Sequence, residues 1–174
     1  MQRMGLIHLY TGNGKGKTTA AVGLAARMSG CGGSVVFAQF LKGADSGERM
    51  ALAQLPGVTV TPVPQSVRFV FQMDARERAV FASHTCDAFA QACALALDRD
   101  LLILDEALGA VEMGMLPLDR VLAFLRGKPE ALEVVLTGRS APKELTEMAD
   151  YVMRVESEKH PYDRGITARR GIEY

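Results

Sequence analysis

The chain has 174 residues, 48% hydrophobic and 23% charged, with 20 Lys and Arg against 20 Asp and Glu. That length suits one domain, and a chain of this size buries about 70% of its unfolded surface, so no disulfide or metal staple is needed. A formal net charge of zero excludes a nucleic-acid binder that works through bulk positive charge. No apolar run approaches the roughly 18 residues of a membrane span. The opening MQRMGLIHLY lacks the apolar core and cleavage site of a secretory signal, and the three cysteines show no C-x-x-C spacing. A reduced, soluble, cytoplasmic protein is expected.

Apolar β-rich runs alternate with helical stretches. Strands are predicted at about 6–10, 35–40, 58–61, 101–104, 133–137 and 151–155. Helices are predicted at about 17–29, 47–54 and 74–97, near Glu106, from near Pro117 to before Gly127, and from Pro142 to about Ala149. The segment 62–73 contains two prolines and reads as a loop, and the polar tail 156–174 as an extended strip carrying Lys159, His160, Arg164, Arg169 and Arg170. Strands separated by helices imply β-α-β units and a mostly parallel sheet. Runs such as Val35-Val36-Phe37 are apolar on both faces, as expected when helices cover both sides. Ligands then bind beyond the carboxyl ends of the strands.

The strongest motif lies between the first strand and the first helix: Thr11-Gly12-Asn13-Gly14-Lys15-Gly16-Lys17-Thr18-Thr19. Its glycines let backbone N–H groups curl around an anion, and the helix that follows adds unpaired N–H groups and a positive dipole end. Lys17 can reach phosphate oxygens and the Thr18 hydroxyl can hold Mg²⁺. The usual pattern places a glycine five residues before the Gly of Gly-Lys-Thr, where this chain has Thr11, and Lys15 adds a second cation. A loop of this altered register is expected to hold a triphosphate differently from an ordinary ATPase.

The apolar run Leu101-Leu102-Ile103-Leu104 ends in Asp105-Glu106, where a phosphate-loop protein keeps its metal shell. Either acid can bind Mg²⁺ directly or through water; the plainer role for Asp105 is to cap the next helix. Gln39, Lys42 and Arg139 also fall at the carboxyl edge, as nucleotide or substrate contacts or as solvated loop residues. Cys86 and Cys93 share a helical stripe with Phe89 and Ala96 and read as core. No Ser/His/Asp or Cys/His constellation is visible.

These residues resemble the phosphate-loop type of cob(I)alamin (corrinoid) adenosyltransferase. The markers are TGNGKGKTTAA from Thr11, QFLKG from Gln39 with SGE from Ser46, LDE at Leu104, LTGRSAP from Leu136, EMAD from Glu147 and KHPYDRGITARRGIEY from Lys159. The resemblance implies an α/β, P-loop NTPase-like three-layer sandwich and a single domain over 1–174. It implies that Co(I) of a corrinoid (cobalamin or a cobyrinic acid a,c-diamide-type precursor) attacks the 5′ carbon of ATP. The intact triphosphate leaves and a Co–C bond forms, with ATP lying reversed relative to other phosphate-loop proteins. So strong a nucleophile needs no general base; the protein has to orient two substrates and neutralise leaving-group charge.

The resemblance adds to the reading of the residues themselves, which puts nucleotide on Gly12 to Thr19 with Gln39, Lys42 and Arg139 as further contacts. Mg²⁺ or Mn²⁺ falls on Thr18, Asp105 and Glu106, and Lys15 and Lys17 hold the triphosphate. It sets Phe69 and Phe71 beneath the corrin, where they help detach the lower axial ligand; the alternative is that both anchor a loop. A flavoprotein reductant and a homodimer are also implied. The competing readings are another small phosphate-loop ATPase or kinase, which would release ADP rather than triphosphate, and a non-enzymatic nucleotide switch or corrinoid carrier, which would form no light-sensitive Co–C bond.

Overall fold

The computed structural model describes residues 4–43, 46–64 and 69–173. Its strands are β1 (Ile7–Thr11), β2 (Val35–Gln39), β3 (Val58–Val60), β4 (Leu101–Asp105), β5 (Glu133–Thr137) and β6 (Tyr151–Arg154). Its α-helices are α1 (Lys17–Gly30), α2 (Gly47–Leu52), α3 (Ala75–Leu95), α4 (Ala107–Glu112), α5 (Leu118–Gly127) and α6 (Lys143–Met148). The strands form a parallel sheet in the order β3-β2-β4-β5-β1-β6. The expected α/β architecture with helices on both faces is therefore present.

The strand period of two builds the two faces. Val36, Ala38, Leu102, Leu104, Val134 and Leu136 point into one core, shared with Phe89 and Cys93 of α3 and Val121 and Leu125 of α5. Their neighbours Val35, Phe37, Leu101, Ile103 and Val135 enter the other core, against Ala21 and Ala25 of α1 and Leu52 of α2. Strands buried on both faces need the near-continuous apolar sequence that β2 and β4 have. Cys93 is a core residue as expected; burial pushes its thiol up to about 12.

Three boundaries move for tertiary reasons. β1 runs on to Thr11 because that residue pairs with Arg154 of the edge strand. β4 includes Asp105 because it pairs with Gln39 of β2. The loop 62–73 holds a short 3-10 turn at Val70–Gln72, seated by buried Val70, ahead of an Asp74–Glu77 capping box that starts α3. The tail departs further. It is not extended: Pro161–Arg164 forms a 3-10 turn. Arg169 and Glu173 then close a last turn, with the Glu173 and Ile172 N–H groups donating to the Arg169 carbonyl.

Candidate active site

The nucleotide loop sits where β1 meets α1. α1 has no side-chain cap and no acidic residue in its first turn. Its first intrahelical bond runs from the Ala20 N–H to the Gly16 carbonyl, so the N–H groups of Lys17, Thr18 and Thr19 precede the ladder. Uncapped N–H groups and an uncompensated dipole suit an anion.

The altered register has a structural cause. Thr11, standing where a glycine is usual, ends β1 and donates its hydroxyl to the Met153 carbonyl of β6 at 3.0 Å. The chain leaving β6 then crosses directly over the loop. A Cβ at Gly12 would lie 2.1 Å from the Val155 carbonyl oxygen, and one at Gly14 would lie 2.7 Å from the Glu156 backbone. The Gly14 N–H donates to Val155 O and the Gly12 N–H to Arg139 O, both at 2.9 Å. Two of the loop glycines thus admit a crossing segment, and their N–H groups are spent on it and on Arg139 rather than aimed at an anion.

In front of the loop lies a cavity of about 600 Å³. Gly14 to Thr19 line it, faced by Lys42, Glu48, Glu106 and the tail residues Gly171 to Glu173. Lys17 donates to the Gly12 and Gly14 carbonyls at 2.6 and 2.8 Å. Burial lowers its ammonium pKa, with the cations Arg139 and Lys42 acting in the same direction and Glu106 and Asp105 opposing. Lys15 is exposed and its ammonium lies 3.0 Å from the Glu173 carboxylate.

The two acids divide their positions. Asp105 is fully buried beneath the cavity. It accepts hydroxyl bonds from Thr18 and Thr137, each 2.8 Å, and a 2.9 Å bond from the Gln39 amide. It caps no helix. Glu106 faces the cavity in a left-handed conformation, φ 59°. Burial raises its pKa, adjacent Asp105 adds to the rise, and Lys42, Lys17 and Arg139 oppose it. The next turn leaves room: a Cβ at Gly109 would lie 3.0 Å from Glu106 Oε2 and 3.2 Å from Leu41 Cδ1. Leu41 is itself left-handed, φ 60°, and its turn presents Lys42 at 3.6 Å from Glu48 and 3.9 Å from Asp105.

Gly14 to Thr19, Lys42 and Glu106 therefore come together on one cavity, with Asp105 under it. Gly12 and Asn13 are outside its lining. Gln39 is buried, and its amide is spent on Asp105 and, at 3.0 Å, on Glu48. Gln39 thus braces two acids. Arg139 is exposed and pins Gly12 through its carbonyl. Phe69 and Phe71 are 67% and 76% exposed, with rings stacked at 5.3 Å and 15° between planes. They are not core anchors; buried Val70 between them is. Val67 and Arg68 lie outside the described residues, as does Tyr174.

Sequence reading missed Thr137, Glu48, Gly109 and Glu173. Thr137, Glu48 and Glu173 did lie within the motifs LTGRSAP, SGE and KHPYDRGITARRGIEY, but no role was attached to them or to Gly109. Among the described residues no group of three or more His, Cys, Asp or Glu could hold a metal by itself. The oxygen donors Thr18, Asp105 and Glu106 are hard and of the kind that could hold Mg²⁺ or Mn²⁺. No described helix is long and apolar enough to cross a membrane.

Residues 3–174 match the family described as ATP:corrinoid adenosyltransferase BtuR/CobO/CobP. The chain is 36% identical over 173 residues to a corrinoid adenosyltransferase of Pseudomonas aeruginosa, covering 98% of this chain and 84% of that one. It is 35% identical over 178 residues to the corrinoid adenosyltransferase of Escherichia coli K12, covering 98% and 86%. A Salmonella typhimurium corrinoid adenosyltransferase is 34% identical over 174 residues, covering 99% and 87%.

Proposed function

The chain belongs to the ATP:corrinoid adenosyltransferase family, and we propose that it moves the 5′-deoxyadenosyl group of ATP to Co(I) of cobalamin or a cobyrinic acid a,c-diamide-type precursor. The Co(I) electron pair forms the Co–C bond, the C5′–O bond breaks, and triphosphate leaves with that bond's electrons. The observation that carries this reading is the single cavity on which Lys15, Lys17, Thr18 and Glu106 converge. It offers cations and N–H donors for a polyphosphate leaving group, which is what the reaction demands. Its size is in the range of small-molecule sites.

In this reading Lys17 exchanges its bonds to the Gly12 and Gly14 carbonyls for phosphate oxygens, and the α1 N–H groups orient the same chain of phosphates. Thr18, Asp105 and Glu106 hold Mg²⁺ or Mn²⁺. The Thr18 hydroxyl can keep its hydrogen on Asp105 and still offer a lone pair to a cation. The ion, when bound, supplies charge neutralisation of the leaving triphosphate. Lys42 adds a further cation at the mouth. The exposed Phe69–Phe71 stack serves the corrin; two parallel rings open to solvent suit a flat apolar partner. One domain over 1–174 working as a cytoplasmic homodimer, with a flavoprotein delivering the electron to cobalt, completes the proposal on the strength of the family resemblance.

Anaerobic incubation with ATP, Mg²⁺ and chemically reduced corrinoid tests it. A light-sensitive Co–C absorbance and stoichiometric triphosphate are expected. Release of ADP and phosphate with no Co–C bond would overturn the reading in favour of an ordinary ATPase or kinase.

A further inference from the structure

We propose that Thr137 is a positioning residue for the metal-holding acids: one buried hydroxyl sets both Asp105 and Glu106. The inference rests on the metal role given to those acids above. Thr137 closes β5, the strand between β4 and β1, and is fully buried. A hydroxyl carries one hydrogen and two lone pairs. Here the hydrogen goes to Asp105 Oδ1 at 2.8 Å, and a lone pair accepts the Glu106 N–H at 2.9 Å.

The two bonds have different consequences. The first fixes one Asp105 oxygen from β5, while Gln39 of β2 fixes the other at 2.9 Å. The carboxylate is thus held from both neighbouring strands and its plane is set. The second bond satisfies a backbone N–H at a residue held at φ 59°, a conformation that costs a non-glycine residue free energy and needs support from its surroundings. That turn aims the Glu106 side chain at the cavity. The same junction is tight: a Cβ on Gly138 would lie 2.5 Å from Leu108 Cβ and 2.8 Å from the Gly109 nitrogen. α4 is therefore seated directly on the end of β5, and Thr137 is the hydrogen-bonding part of that seat.

Thr137→Val keeps the shape and removes both bonds; Thr137→Ser keeps both. The test is Mn²⁺ binding by electron paramagnetic resonance in the presence of ATP and without corrinoid. Outer partners of metal ligands are worth about 10- to 100-fold in metal affinity. The valine variant is expected to bind Mn²⁺ at least about tenfold more weakly, the serine variant to stay near wild type, and ATP affinity in EDTA to be unchanged in both. An unchanged Mn²⁺ affinity in the valine variant would overturn the proposal. So would a metal-free ATP affinity that falls in step, since that marks collapse of the site rather than misaimed acids. If the valine variant does not fold, Thr137→Ala carries the same comparison. Corrinoid is absent from the titration, so failure here is separate from failure of adenosyl transfer in the wild type; a wild-type enzyme that binds no Mn²⁺ with ATP would overturn this inference.

Discussion

The Lys15 ammonium lies 3.0 Å from the Glu173 carboxylate, joining the nucleotide loop to a residue 158 positions along the chain. Glu173 is itself clamped by Arg169, whose N–H donates at 2.8 Å and whose guanidinium donates at 3.2 and 3.3 Å. These bonds, the Arg169 guanidinium first and then the Arg169 N–H and Lys15, hold the Glu173 carboxyl down to about 2. It is therefore an anion at any working pH, seated on a cation that the proposed mechanism gives to triphosphate.

On that proposal, substrate and tail compete for Lys15. Glu173→Gln is expected to tighten binding of inorganic triphosphate by about two- to fivefold, the range of an exposed charge pair. The gain should shrink as salt is raised. Isothermal titration calorimetry at two ionic strengths reads both effects; weaker binding in the variant would make Glu173 a helper of the phosphate site.

Phe71 is 76% exposed, so Phe71→Ala should change stability by less than about 0.5 kcal/mol. With the proposed corrin role, its effect is expected on the chemistry. Activity starting from Co(II) with a reductant should fall far more than transfer starting from pre-reduced Co(I). Equal loss in the two assays would remove the corrin role from this ring.

Gly109 lies in helix α4, where glycine costs about 1 kcal/mol relative to alanine. An added Cβ would crowd Glu106 Oε2 at 3.0 Å and Leu41 Cδ1 at 3.2 Å. Gly109→Ala should therefore keep thermal stability within about 1 kcal/mol of wild type while weakening metal-dependent activity. Paired melting curves and Mg²⁺ titrations of the rate check this divergence; parallel changes in both would refute it.

Glu48 gives a pH dependence. Burial alone would raise its pKa. Bonds from its own backbone N–H, Gln39 and Ser46, together with the charge of Lys42, outweigh burial and hold it below its ordinary 4.5. A depressed carboxyl contributes stability above its unfolded pKa and loses it as pH falls through the folded one. Glu48→Ala should thus cost about 1 kcal/mol at neutral pH, and the difference from wild type should vanish below the carboxylate range. Denaturant unfolding at pH 7 and in strong acid reads it.

Much of the scaffold was legible because its signals are local. β5 was expected at 133–137 and is Glu133–Thr137; the glycine-rich turn, the helix after it and the acid pair at the end of β4 follow from residues close in sequence. Gln39 shows the limit. Its neighbours place it at the carboxyl edge, but only the register that sets it opposite Asp105 shows that its amide donates to that acid. The Phe69–Phe71 stack shows it again, since two aromatic residues around a valine do not say which of the three is buried.

The order of residues alone determined a strand, a glycine-rich turn and a helix whose free first N–H groups accompany Lys17 and Thr18, because backbone curvature and helix-end N–H groups depend on a few consecutive residues. Only the folded sheet decided that Asp105 lies under the cavity and Glu106 faces it, and that Gln39, Thr137 and Glu173 come to their partners. Strand order β2-β4-β5-β1 is not chain order, so those contacts are set by pairing and packing across the molecule rather than by any local pattern.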